Sequence, residues 1–227
     1  MKKNYLFLVL VLSHFLGVAQ RVNISLNATL DGKELLLNRL VVNSEKDTLL
    51  INQLKFYISN VQFLKNDSIV FSELNSYHLV DFEMPASTSL SIKTFRSISY
   101  NSIRFYLGID SLTNVSGALG GELDPTHGMY WTWQSGYINF KMEGEASTST
   151  APSNEFQFHL GGYQQPFYSL QEVQLNVHDE NINLELNLDP FLHSLDFSNV
   201  HHIMSPSKKA MELSEILAKN FKVKKND

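Results

Sequence analysis

The feature that most constrains the fold is the alternation of apolar and polar residues along most of the chain. Residues 22–30 show it clearly, because every second residue is apolar until the turn at Asp31 and Gly32. Successive side chains of a β-strand point to opposite faces, so this period of two indicates strands with one buried face. Similar runs separated by turn residues continue to residue 188 and predict an all-β fold, an antiparallel β-sandwich.

Two further patterns complete the predicted fold. Large apolar residues within the alternating runs are expected to supply much of the core: Phe56, Ile58, Phe105, Leu107, Phe140, Phe156 and Phe158. Near the C-terminus the period becomes helical. Ser205 is a suitable N-cap, Pro206 suits the first helical position, and Met211, Ile216 and Leu217 form an apolar stripe. We therefore expect one short C-terminal helix.

The first 19 residues have the composition of a secretory signal peptide. Lys2 and Lys3 precede an apolar stretch over residues 5–16, and small residues at 17–19 precede Gln20. The apolar stretch is too short for a convincing spanning helix. We predict cleavage after residue 19, a periplasmic or extracellular location, and no membrane attachment afterwards. Residues 20–227 are then expected to form one domain.

Charge and cysteine content exclude several classes of function. The chain has 18 Lys and Arg against 23 Asp and Glu, a net charge of −5, and loss of the two lysines of the signal peptide makes it −7. An acidic domain lacks the basic surface that nucleic-acid binding requires. With no cysteine, a metal site has to use histidine, methionine or carboxylates. No nucleophile elbow, phosphate loop or dinucleotide motif occurs, which favours a non-enzymatic protein.

Residues 123–144, LDPTHGMYWTWQSGYINFKMEG, contain both tryptophans of the chain. If residues 130–142 form one strand, Met129, Trp131 and Trp133 line one of its faces. Such a row of a thioether and two indoles is either part of the core or the lining of a binding site.

A histidine in the segment EFQFHLGGY, residues 155–163, makes a binding site worth considering. The alternation places His159 on the face of the strand opposite to that of Phe156 and Phe158. The strand then ends at a glycine pair, which allows another backbone to approach closely. A lone histidine on a strand is most often structural. The alternative is a metal site, because imidazole and thioether ligands suit Cu(I) and an indole adds a cation–π contact. Its candidate residues are His159, Met129, His127, Trp131 and Trp133.

Five segments occur in an order that is typical of one protein family. They are FYISNVQF (56–63), YHLVDF (77–82), IRFYLGID (103–110), the tryptophan segment (123–144) and FHLGG (158–162). Together they resemble the MbnP-like family, copper-binding proteins associated with methanobactin operons and widespread among secreted bacterial proteins. The resemblance implies a secreted β-rich domain and, for some members, a copper site.

The resemblance also implies which residues would form that site. In related methanotroph proteins, copper is bound by two histidines and by a tryptophan that an oxidising partner converts to kynurenine, with one histidine two positions after the tryptophan. Trp131 matches that tryptophan, whereas position 133 is a tryptophan here instead of a histidine. The resemblance thus implies copper as the bound metal ion. It also implies an oxidising partner protein that acts on Trp131.

Other interpretations remain open at this point. The rings of Trp131, Trp133, Tyr130 and Tyr137 would form a platform for a glycan or peptide if they were exposed, and a ligand-free structural domain would simply bury them. The adjacent pair His201 and His202 could bind one ion only from a turn, and its position before the predicted helix favours a surface loop. Oxygen-bearing residues around the glycine-rich loop at 117–121 fit no EF-hand spacing and favour turn capping.

Overall fold

The computed structural model describes residues 20–42, 47–95, 97–134, 136–177, 179 and 181–224, so the predicted signal peptide lies outside the described residues. In chain order the described strands are β1 (Arg21–Leu30), β2 (Lys33–Glu34), β3 (Leu40–Val42), β4 (Thr48–Lys65), β5 (Ser68–Ser72), β6 (Tyr77–Asp81), β7 (Ser89–Lys93), β8 (Ser102–Leu107), β9 (Tyr130–Trp131), β10 (Gly136–Ala146), β11 (Glu155–Gly161), β12 (Tyr163–Gln164), β13 (Phe167–Tyr168), β14 (Gln171–Asn176), β15 (Asn181–Asn187), β16 (His202–Ile203) and β17 (Phe221–Val223). The α-helices are α1 (Ser111–Val115), α2 (Asp189–His193) and α3 (Lys208–Lys219). Single 3-10 turns lie at Pro85–Thr88, Gly121–Leu123, Pro125–His127 and Pro152–Asn154.

These strands form two facing sheets and one separate hairpin. The smaller sheet has the order β17-β15-β1-β2, with β7 also paired to β1. The larger sheet has the order β14-β8-β4-β10-β11-β16; β3, β5 and β6 also pair with β4, and β9 pairs with β10. Strands β12 and β13 form the hairpin. The predicted all-β sandwich with a C-terminal helix is confirmed. Its strand pairs are mostly antiparallel, but β1 pairs with β15, and β11 with β16, in parallel.

The predicted core residues lie between the two sheets. All seven are almost completely inaccessible to solvent: Phe56, Ile58, Phe105, Leu107, Phe140, Phe156 and Phe158. They come from β4, β8, β10 and β11, central strands of the larger sheet, and contact apolar residues of the smaller sheet. The alternation therefore identified the buried face correctly, because the apolar side chains of each strand have to be removed from water together.

The long strand β4 contains an irregularity that alternation did not predict. Phe56 and Ile58 face the core at even positions, whereas Val61 and Phe63 face it at odd positions. Between them Asn60 adopts a left-handed φ of 50°, a conformation that asparagine tolerates better than most residues, and the pairing with β8 shifts register there. This bulge adds one residue and reverses the phase of the alternation, so the 18-residue strand turns apolar side chains to the core on both sides of Asn60.

The C-terminal helix α3 starts later than the sequence predicted. Its N-cap is Ser207, whose hydroxyl accepts a hydrogen bond from the amide of Ala210, so the predicted cap at Ser205 is wrong by two residues. The helix buries Ala210, Leu213 and Leu217 against the sandwich. Among the described residues, no helix is both long and apolar enough to cross a bilayer.

A second, smaller group of apolar residues lies on the outer face of the larger sheet. We call it the outer-face cluster; its buried members are Tyr57, Leu79, Ile109, Leu123, Met129, Trp131, Tyr137 and Ile138. Tyr57 points away from the main core because its neighbours Phe56 and Ile58 point into it. The chain between β8 and β10 thus folds over this outer face and brings the first tryptophan onto it.

Candidate functional site

The tryptophan segment is a hairpin and not the single strand expected over residues 130–142. Strand β9 ends at Trp131, residues 132–134 turn, and β10 begins at Gly136, which pairs directly with Trp131. The two indoles therefore have different surroundings, since Trp131 is 5% exposed and Trp133 is 65% exposed. Their ring centroids are still only 5.9 Å apart. The expected single row of Met129, Trp131 and Trp133 is wrong because the chain reverses direction after Trp131.

The indole of Trp131 packs directly against the glycine of the FHLGG segment. A Cβ atom placed on Gly161 would lie 2.7 Å from Cζ3 of Trp131 and 2.7 Å from the carbonyl oxygen of Tyr137, so a side chain does not fit there. Residues 159 and 161 share one face of β11 because side chains alternate. Trp131 and His159 consequently lie on the same face of the sheet, which the sequence alone did not establish.

The imidazole of His159 is held by two charged residues of β10. It is 6% exposed, and its Nε2 lies 2.6 Å from Oε1 of Glu143. The ammonium group of Lys141 lies 3.1 Å from the same carboxylate oxygen. The hydrogen bond from His159 is the main cause that lowers the pKa of Glu143 to about 2; burial opposes it and Lys141 adds to it. A carboxylate only accepts, so Nε2 donates, and the lone pair of the neutral ring is on Nδ1.

The second ring nitrogen of this histidine is buried without a hydrogen-bond partner. Six buried side-chain nitrogen or oxygen atoms of the described residues are in this state, and two of them, His159 Nδ1 and Trp131 Nε1, belong to residues on the same face of the sheet. Two others are Gln134 Oε1, in the turn of the tryptophan hairpin, and His201 Nδ1, directly before β16. Leaving such an atom unsatisfied costs about 1–3 kcal/mol. A buried polar atom without a partner in the protein is a position where a water molecule or a ligand can bind.

Two of the predicted site residues have other contacts. Met129 is completely buried within the outer-face cluster, to which Trp131 also belongs, and packs there among apolar side chains. His127 is exposed, and its Nδ1 lies 3.2 Å from the carbonyl oxygen of Glu122. The structure thus brings together His159 and Trp131, with Trp133 beside the latter, and gives Met129 and His127 different contacts.

The four-ring aromatic platform is also not formed. Trp131 and Tyr137 are buried, Tyr130 is half-buried with its ring packed at 4.9 Å on Tyr137, and only Trp133 is well exposed. A flat row of exposed rings is therefore absent from the described hairpin. Burial of Trp131 next to His159 favours a metal site or a structural core over stacking of a glycan across these four rings.

Another histidine lies on the strand next to His159: His202 begins β16, and His201 directly precedes it. Strand β16 runs parallel to β11, with His202 opposite Gln157 and the carbonyl of His201 accepting from the amide of Gln157. The rings of His201 and His202 are 4.8 Å apart. Strand spacing and rise place His202 about 8 Å from His159, measured between Cα atoms. Sequence analysis did not connect these histidines with His159, because only the tertiary fold pairs the two strands.

The donor atoms available here suit a soft or borderline ion better than a hard one. No group of three or more His, Cys, Asp or Glu residues arranged to hold a metal occurs among the described residues. The carboxylates near the glycine-rich loop have capping roles instead, since Asp110 accepts from the amide of Thr113 and Asp124 from the amide of Thr126. Turn capping explains those acids, and the imidazole nitrogens that remain are donors that suit Zn, Cu, Fe or Ni.

Comparison with known proteins supports the resemblance seen in the sequence. The MbnP family model matches residues 19–207. The chain belongs to the MbnP family. A solved structure of MbnP from Methylosinus trichosporium superposes with a TM-score of 0.57 at 15% identity, covering 82% of this chain and 81% of that one. At this identity the match shows a common fold, and no curated protein sequence matches the chain.

The contact between Glu143 and His159 in this MbnP-family protein predicts a specific pH dependence of stability. The pKa of Glu143 is about 2 when folded, against 4.5 for an ordinary glutamate. Its carboxylate therefore stabilises the fold fully above pH 4.5, and this contribution is lost as the pH falls towards 2. We expect Glu143→Gln to lower the free energy of unfolding at neutral pH, with a difference that shrinks below pH 4.5.

Urea denaturation at a series of pH values measures this difference. Glu145→Gln is the matched control, because Glu145 is an exposed glutamate on the same strand and is expected to change stability little. A difference between wild type and Glu143→Gln that stayed constant from neutral pH to about pH 2.5 would contradict the linkage.

Proposed function

We propose that this MbnP-family protein is an exported, non-enzymatic protein that binds copper in the corner formed by His159 and Trp131. The observation that best supports the proposal is the state of His159. Its Nε2 is held by Glu143, and its Nδ1 is buried without a partner. A carboxylate bound to the far nitrogen orients the ring and increases the basicity of the ligating one, an arrangement that commonly supports metal-binding histidines.

The second imidazole in this proposal comes from β16. His202 lies on the strand next to His159 and faces outward as His159 does, because the next residue, Ile203, is in the core. Its Nε2 lies 3.6 Å from Oε1 of Glu155. Met129 and His127, the second ligands suggested by the sequence, would first have to leave the outer-face cluster and the Glu122 carbonyl. Imidazole nitrogens are common ligands of copper. The proposal therefore uses His159 and His202 as ligands, with the indoles as the lining.

Trp131 is the residue that we propose an oxidising partner protein modifies. Its indole is buried against Gly161, close to His159, and its Nε1 lacks a hydrogen-bond partner. Oxidation by dioxygen would cleave the C2–C3 bond of the indole, and hydrolysis would then release the C2 carbon as formate, which leaves the aromatic amine and ketone of kynurenine in the same corner. Trp133, the substituted position, is exposed and lies beside it, with the ring centroids 5.9 Å apart and the rings tilted by 45°. Export by the signal peptide at residues 1–19 is part of the same proposal and would place the protein where such a partner could act.

Purification of the protein from its native periplasm tests the proposal. We expect about one copper per chain by elemental analysis, an N-terminus at Gln20, and any oxidation increment in the intact mass to map to Trp131 after digestion. The same protein produced in the cytosol without copper serves as the control for adventitious metal. Periplasmic protein that contains no copper, keeps an unmodified Trp131 and fails to bind added Cu(I) would show that the corner is structural.

A further inference from the structure

A small pocket with an uncharged lining lies beside the tryptophan hairpin. Its volume is about 210 Å³, and the residues that line it are Gln134, Tyr163, Gln164, Gln165, Phe167 and Pro206. Neither His159 nor Glu143 is among them. The pocket lies at the β12–β13 hairpin, where the carbonyl of Tyr163 accepts a hydrogen bond from the hydroxyl of Ser111 and the amide of Ser169 donates to Gly162. These hydrogen bonds hold the pocket in place next to the proposed copper site.

The lining combines amides with aromatic rings. Each glutamine side chain offers both a donor and an acceptor, and Oε1 of Gln134 is buried without a hydrogen-bond partner. Phe167 is 37% exposed, and Trp133, the residue before Gln134, exposes most of its ring. The face of an exposed aromatic ring can pack on an apolar face of a ligand. The pocket thus offers hydrogen bonds at its sides and apolar ring faces at its mouth.

This chemistry excludes several classes of ligand. None of the six lining residues carries a charge, so an anion such as phosphate and a metal cation both lack a counter-charge. A purely apolar ligand would leave the acceptor of Gln134 unsatisfied, at a cost in affinity. The volume is below the range of about 300–1,000 Å³ that drug-sized ligands occupy. A small neutral ring with several hydroxyl groups and an apolar face matches both the amides and the aromatic ring of this lining.

We propose that this pocket binds one neutral sugar ring, such as the terminal residue of a glycan. A hydroxyl of the sugar donates to Gln134 Oε1, the amides of Gln164 and Gln165 bind neighbouring hydroxyls, and the C–H face of the ring packs on Phe167. This site differs from the four-ring platform considered from the sequence, because it uses the hairpin β12–β13 and Gln134 in place of the buried Trp131 and Tyr137. It is independent of copper binding.

Nuclear magnetic resonance titration of the mature protein tests the proposal. The probes are methyl α-D-glucopyranoside, methyl α-D-mannopyranoside, methyl β-D-galactopyranoside and N-acetyl-D-glucosamine. We expect at least one of them to shift the side-chain amide signals of Gln134 and the indole signal of Trp133 saturably, with a dissociation constant in the millimolar range. Gln134→Ala and Phe167→Ala should each weaken that binding by about tenfold, the effect of losing one net hydrogen bond or apolar contact.

The control variant is Gln62→Ala. Gln62 also has a buried, unpartnered Oε1 but lies on β4, away from this pocket, so its substitution should leave sugar binding unchanged. Gln134 lies in a turn and Phe167 is exposed, so neither substitution removes core packing. The proposal is overturned if none of the four sugars produces saturable shifts at these residues, or if the shifts persist unchanged in both pocket variants.

Discussion

Replacing His159 by alanine is expected to lower the Cu(I) affinity of the protein by more than about 100-fold, above the range of about 10–100-fold that loss of a supporting partner causes. The substitution removes a buried imidazole whose Nδ1 has no protein partner and whose Nε2 is oriented by Glu143. The fold should remain intact, because Glu143 keeps its contact with Lys141. Competition against a chromophoric Cu(I) chelator measures the affinity.

His78→Ala is the matched control for this measurement. His78 also forms a pair with a glutamate, 2.8 Å from Glu73, and lies on β6 of the same sheet. Its loss removes a comparable ion pair and should leave copper affinity unchanged. If His159→Ala binds Cu(I) as tightly as the wild type, the site is elsewhere, and single substitutions of His201 and His202 become the next measurements.

Gly161→Ala is expected to destabilise the protein by about 1–3 kcal/mol, the usual cost of adding a methyl group to a well-packed region. The new Cβ would meet Trp131 and also the backbone carbonyl of Tyr137, and the latter is held in β10 and cannot move aside easily. Relief requires the indole to leave its position over β11. We therefore expect a lower urea midpoint together with a red shift of tryptophan emission, as Trp131 becomes exposed.

Gly120→Ala separates the effect of crowding from that of losing a glycine. A Cβ at Gly120 would meet no atom within 4 Å, so this substitution should leave both the urea midpoint and the emission maximum unchanged. The packing of Trp131 on Gly161 would be wrong if Gly161→Ala matched the stability and emission of the wild type. Because Trp131 lines the proposed copper site, the same variant should also bind Cu(I) more weakly.

Local patterns predicted much of this architecture. The alternation around Phe56, Phe105 and Phe140 identified strands and their buried faces, because side-chain direction along a strand depends only on the neighbouring residues. The order of the aromatic and glycine-containing segments indicated the MbnP family, which the family match over residues 19–207 confirms. The helical period near the C-terminus also predicted α3, although the cap is at Ser207 instead of Ser205.

These local patterns did not predict which strands pair or in which register. The bulge at Asn60 reverses the phase of β4, and the turn after Trp131 separates the two indoles. Both depend on which strands pair and in which register, and a shift of one residue moves every side chain to the opposite face. The contact between His159 and Glu143 likewise needed the antiparallel pairing of β10 with β11.

The sequence by itself determined an all-β chain of the MbnP family and singled out His159 and Trp131 as candidates. Only the tertiary structure decided that these two residues share one face, that Met129 and His127 have other contacts, and that His202 lies on the adjacent strand. The physical reason is the range of the interactions. Alternation and capping act between residues close in the chain, whereas a site is assembled by pairing and packing between distant segments, whose register follows from the burial of the whole sheet.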